Sequence, residues 1–227
     1  MRIKNLIKWD IRFQIKYGFY IIYAVLTTFY MFMLYVFPIH WRENAVSIMI
    51  FSDPAAMGLF FMGAIVLLEK SQKVINVLAI SPVKVTEYIL SKVISLVIIS
   101  VIVAFVLALA AKTDNLISII LGTALTSVIF TLLGLIAATK IRSLNQFVIV
   151  TIPIEMVCIV PAIFYLFGYS ENILQWYPIN ICIGLIANKT DNIIVSLLLI
   201  MATICILFAI AYHFTSNMFN SVGGVKL

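Results

Sequence analysis

Of 227 residues, 64% are hydrophobic and only 11% charged, and the mean hydropathy is +1.17. A water-soluble domain of this length cannot hide that much apolar side chain, and no polar block approaches the hundred or so residues that a folded extramembrane catalytic domain needs. Fifteen Lys and Arg against nine Asp and Glu give a net charge of +6. The positive residues fall between apolar runs, which points to a membrane surface rather than to nucleic acid.

The first 16 residues, MRIKNLIKWDIRFQIK, place Ile3, Leu6, Ile7, Ile11 and Ile15 at helical spacing, with Arg2, Lys4, Lys8, Arg12 and Lys16 mainly on other faces. This predicts an amphipathic helix lying on an anionic leaflet. A cleaved signal peptide is not expected, because the apolar run that follows is long and has no small-residue cleavage site. The first span is predicted over 17–37, ended by Pro38, and residues 38–53 read as a connecting loop. Asp53-Pro54 looks like a cap followed by proline at the first helical position, opening a second span over 54–68. Fifteen residues cover only about 22 Å, so that helix must run past Glu69 or the apolar 45–51 segment must dip inward.

Residues 69–88, EKSQKVINVLAISPVKVTEY, are polar with apolar teeth, and Val74, Val77 and Leu78 share one helical face. Ser81-Pro82 repeats the cap-then-proline pattern and is expected to open a helix reaching Ala111, its first turns outside the bilayer and its span over 89–111. A short turn at 112–115 leads to a fourth span over 116–138, with Gly122 and Gly134 as close-packing points. The fifth, over 147–167, contains Pro153, Glu155 and Pro161 and is expected to be the least regular. Residues 168–192 alternate polar with apolar and suggest short interfacial helices. The sixth span is predicted over 193–214, followed by a polar tail. The fold class is therefore an all-α membrane protein, a single transmembrane domain over 1–227 with six transmembrane helices, an interfacial N-terminal helix and a cytoplasmic helix between spans two and three.

Orientation follows from counting positive charges. The N-terminal segment carries five, the 69–92 stretch four, the 139–146 connector two and the tail one, against Arg42, Lys112 and Lys189 in the opposite loops. Both termini are placed in the cytoplasm.

Motifs for nucleotide binding, zinc proteolysis or a nucleophile elbow are absent from the sequence. Cys158, Cys182 and Cys205 lie far apart in apolar surroundings and read as small apolar residues, while His40 and His213 fall near span ends. Glu155 is the only acid deep in a span. A carboxylate there is costly, so it faces either a substrate path or a buried hydrogen-bonding neighbour.

The stretch from Glu69 to Lys92 resembles the coupling region of ABC-2 type permeases. Glu69 and Lys70 open the pattern, Leu78 is its apolar anchor, Ser81-Pro82-Val83 form the turn, and Glu87 and Lys92 close it. The subgroup of fluoroquinolone-export permeases is the most similar, the run matching through Tyr88. Lys73 and Val74 depart from a Gly-Thr common in the broader family, and Ser91 from a Gly.

The resemblance implies a permease subunit of an ATP-driven exporter in a bacterial inner membrane, paired with a second permease and moving an amphipathic small molecule or peptide. ATP and Mg would be bound by a separate ABC ATPase, this chain holding no cofactor, metal or nucleic acid. Glu69, Lys70, Val77, Leu78, Ser81, Pro82, Glu87 and Lys92 would couple to that ATPase, with Val77 and Leu78 as docking teeth and Glu69 or Glu87 pairing with its bases. Glu155 and Pro153 would line the substrate path. Two other readings stay open: a non-transporting scaffold or sensor that recruits a soluble partner, and an ATP-independent carrier.

Overall fold

The computed structural model describes residues 2–52, 56–113, 115–169, 174–190 and 192–222, without the side chains of 39, 40 and 222. The expected cap at Asp53-Pro54 and the side chain of His40 lie outside the described residues. Among the described residues ten α-helices follow one another: α1 Arg2–Lys16, α2 Phe19–Val36, α3 Ile39–Ile50, α4 Met57–Ser71, α5 Val74–Ile80, α6 Val85–Ala111, α7 Leu116–Lys140, α8 Leu144–Leu166, α9 Pro178–Ile186 and α10 Ile193–Val222. No strand occurs among the described residues.

Among the described residues five helices, α2, α6, α7, α8 and α10, are long and apolar enough to cross a membrane. Four of the corresponding sequence expectations agree to within about four residues at each end. The fifth, α10, runs on to Val222, so the expected polar tail is helical as far as that residue. Its last turns bury Thr215, Met218 and Phe219, which recur at the spacing of one helix face.

The element expected as a second span is α4, with 15 residues. It does continue past Glu69, and α3 precedes it where a loop was expected. Val46, Met49 and Ile50 of α3 are buried, so this apolar segment joins the core instead of forming a surface connection.

The centre of the bundle is α7, which packs against α4, α6, α9 and α10. Small residues permit its closest approach. A Cβ on Gly134 would stand 2.4 Å from the Leu59 carbonyl oxygen of α4, and one on Gly122 2.9 Å from Ile186 of α9. Both glycines thus serve the close packing expected of them. Between α6 and α7, the Ser100 and Ser127 hydroxyls hydrogen-bond at 3.1 Å.

Two expectations about irregular segments are corrected. α8 is one continuous helix despite Pro153 and Pro161. Proline at 161 leaves the Val157 carbonyl without its helical N–H donor, and the Tyr177 hydroxyl donates to it across 3.5 Å. The 168–192 stretch yields a 3₁₀ turn, Leu174–Trp176, and then α9, whose residues from Ile179 to Ile186 are all buried. With α7, α8 and α10 around it, α9 is packed into the core of the bundle.

Candidate functional site

The site lies where α1, α4, α5 and the start of α6 meet. A seven-residue helix, α5, is joined to α4 through Lys73, whose φ of 58° places it in the left-handed region. That conformation is the natural one for glycine and strains a side chain. The departure noted at this position is thus a lysine in a glycine's backbone geometry.

Both flanks of α5 are braced. On the α4 side, the Lys70 ammonium donates to the carbonyls of Ala138, Thr139 and Ile141 at 2.7, 2.8 and 2.9 Å. These are C-terminal carbonyls of α7 and its exit, which lack helical donors and carry the negative end of the helix dipole. Gln72 donates to the Tyr17 hydroxyl at the α1–α2 junction. On the α6 side, the Lys84 backbone N–H donates to Glu87 Oε2 at 2.9 Å, so α6 begins at Val85 with Lys84 as its N-cap. Ser81 is not the cap of α6. It ends α5, its hydroxyl donating to the Leu78 carbonyl at 2.7 Å, and exposed Pro82 accepts from Arg2 at 3.1 Å.

Beneath this segment lies a buried polar cluster. The Lys92 ammonium, 1% exposed, donates to Asp10 Oδ1 at 2.5 Å and to Glu69 Oε1. Glu69, fully buried, also accepts from the Tyr88 hydroxyl at 2.7 Å. The rings of Trp9 and Tyr88 sit 5.3 and 5.2 Å from the ammonium. Such a cluster is held by mutual charge and hydrogen bonding, since any member left alone would be costly in the interior. Glu69 and Lys92 are therefore enclosed and spent within the chain; neither carboxylate nor ammonium reaches a partner's surface. Of the two acids expected to meet a partner, Glu87 is half-buried and committed to the start of α6.

Two features were missed in the sequence. Asp10 and Gln14 of α1 are buried together with Phe13, and Gln14 donates to Ser95 at 2.7 Å. The helix read as resting on a leaflet also packs along α6, and an acid in an otherwise basic helix was the available signal. The second is Ile80. Val77 and Ile80 are 63% and 80% exposed, three residues apart and so on one face of α5, while Leu78, expected as a tooth, is half-buried against the core. Between α1 and α5 opens a cavity of about 600 Å³ with Leu6, Trp9, Asp10, Val74 and Leu78 among its walls.

The expected substrate-path residues are not brought together. Pro153 lines an apolar cavity of about 440 Å³ between α7, α8, α9 and α10, with Ile129, Leu133, Tyr177 and Leu207. Glu155 is half-buried on α8 but does not line that cavity.

A bundle with five bilayer-length apolar helices is a multi-pass membrane protein. The chain belongs to the fluoroquinolones export permease protein family, whose model matches residues 1–222. Two relatives are the fluoroquinolones export permease proteins of Mycobacterium tuberculosis strains CDC 1551 / Oshkosh and H37Rv, each 26% identical over 144 residues. That match covers 62% of this chain and 61% of each relative's length.

Proposed function

We propose that the chain is the transmembrane subunit of an ATP-driven exporter of the ABC-2 type, pairing with a second permease and driven by separate ATPase chains that bind the ATP and Mg. The observation that carries this is the exposed Val77–Ile80 face, held on a helix braced at both ends. An exposed apolar pair on a rigid short helix fits a partner's groove, and its bracing transmits a push instead of absorbing it. Lys70 would deliver such a push to α7, the Glu69–Lys92–Asp10 cluster to α6 and α1. These residues act by fixing the docking helix, while Ser81, Pro82 and Glu87 shape its exit.

In this reading α3 and α4 form one interrupted crossing, giving six in all, with both termini in the cytoplasm and the bundle in the bacterial inner membrane. The transported molecule is an amphipathic small molecule or peptide, by analogy with the name the relatives carry. The apolar cavity at Pro153 offers it a contact surface, and Glu155 lies on the same helix. The test is to purify the tagged chain in mild detergent from its host and identify stoichiometric companions by mass spectrometry. An ATPase with nucleotide-binding motifs, released when Val77 and Ile80 are both changed to Asp, is the expected result. Absence of any ATPase after crosslinking would overturn the reading.

A further inference from the structure

The cavity between α1 and α5 has one wall that the polar cluster does not satisfy. Two carboxylates, Asp10 and Glu69, share the single ammonium of Lys92. Asp10 is 3% exposed, and its second oxygen, Oδ2, takes no hydrogen bond among the described residues. A buried carboxylate oxygen without a donor is costly, and Asp10 itself lines the cavity. Leu6, Trp9, Val74 and Leu78 give it apolar walls, while Lys92, Tyr88, Gln72 and Ser91 on one side and Arg2 and Asn5 on the other add polar groups.

Depth identifies the occupant. A hydrocarbon core of about 30 Å takes about 20 helical residues. Counted back from Ala111, where α6 ends, that stretch closes at Lys92. The cavity therefore lies at the level of lipid headgroups, with half-exposed Trp9 beside it, the depth at which tryptophan is enriched. A ligand complementary to these walls carries an N–H-bearing ammonium for Asp10, an anionic group for the Arg2 side, and an apolar body.

We propose that this cavity binds the headgroup of an ethanolamine phospholipid from the leaflet in which α1 lies, its ammonium donating to Asp10 Oδ2. The phosphate then faces Arg2 and Asn5, and the first acyl carbons rest on Leu6 and Trp9. The site stands whether or not an ATPase drives the protein, since it depends only on the membrane and on these residues. A choline headgroup has the same charge but no N–H to donate, so the hydrogen bond and not the charge alone sets the preference.

The test is native mass spectrometry of the full chain, delipidated in detergent and then given ethanolamine, choline or glycerol phospholipids of identical acyl chains. Ethanolamine lipid is expected to be retained at least fivefold above the other two. Asp10→Asn should lower it to the choline level. Because Asp10 also holds Lys92, a second variant, Leu6→Trp, fills the cavity while leaving the cluster intact and should abolish the preference. Equal retention of ethanolamine and choline lipids, or full ethanolamine preference in Leu6→Trp, overturns the proposal.

Discussion

The ammonium of Lys92 lies 2.5 Å from the carboxylate of Asp10, a residue 82 positions earlier in the chain. The contact ties α1 to α6, and since the same ammonium meets Glu69, it ties both to the end of α4. Three helices that frame the short α5 are thus locked at one buried point. Removing the central cation would leave two carboxylates facing each other out of water, which must take up a proton or repel one another.

Lys92→Met is therefore expected to destabilise the fold by about 3–5 kcal/mol, the usual cost of breaking a buried pair from one side. The triple variant Asp10→Asn, Glu69→Gln, Lys92→Met removes charge from the whole cluster and should recover part of the loss. Thermal unfolding in a single detergent measures both. A triple variant no more stable than Lys92→Met would show that shape, and not charge, holds the point together.

Glycines in this bundle separate two kinds of cost. At Gly134 an added Cβ meets backbone of Leu59 at 2.4 Å, and α4 can yield only by moving away from α7. Gly134→Ala should cost about 1–3 kcal/mol or more, as overpacking does. Gly18 has open space around it but a φ of 79°, so Gly18→Ala should cost about 1 kcal/mol from the backbone alone. Unfolding midpoints of the two variants, compared in the same detergent, check the order.

Five of the six expected spans were legible because a bilayer demands a length and composition that few other environments do, and α2, α6, α7, α8 and α10 follow them, whereas the second falls on the 15-residue α4. The short helix between α4 and α6 was legible from the order of charged and turn residues around it. What the same pattern hid was which side each residue faces. Asp10 sits among five basic residues in a helix whose apolar stripe reads equally well against lipid or protein, and only the fold brings it to Lys92. α9 is too short to signal a span, and its burial depends on α7 and α8 closing around it. Ile80 stands directly before Ser81-Pro82, outside the Val74, Val77 and Leu78 face that the sequence offers. The tail of α10 did carry a signal, with Ala211, Thr215, Met218 and Phe219 buried on one face, masked by the polar residues between them.

Lys73 tests how far the backbone dictates the α4–α5 bend. Its φ of 58° costs a lysine about 1 kcal/mol that glycine would not incur, offset in part by glycine's greater freedom when unfolded. Lys73→Gly should leave stability unchanged or raise it by up to about 1 kcal/mol, and Lys73→Val should lower it, because a β-branched residue fits the left-handed region worst. Paired unfolding curves decide. A valine variant as stable as the glycine one would mean the bend opens without strain.

The last expectation separates docking from folding within a single turn of helix. Val77 and Ile80 stand out from the surface of the chain while Leu78 rests against the core. Exposed substitutions away from caps and pairs change stability by no more than about 0.5 kcal/mol, so Val77→Asp with Ile80→Asp should unfold at the wild-type temperature. Leu78→Asp places a charge against apolar neighbours and should lower stability by a few kcal/mol. If the exposed face is where an ATPase seats, the double variant loses the partner while remaining folded, and Leu78→Asp loses both. Measuring co-purified ATPase and thermal unfolding on the same samples gives the two readings side by side. A double variant that folds and still holds its partner would move the docking surface away from α5.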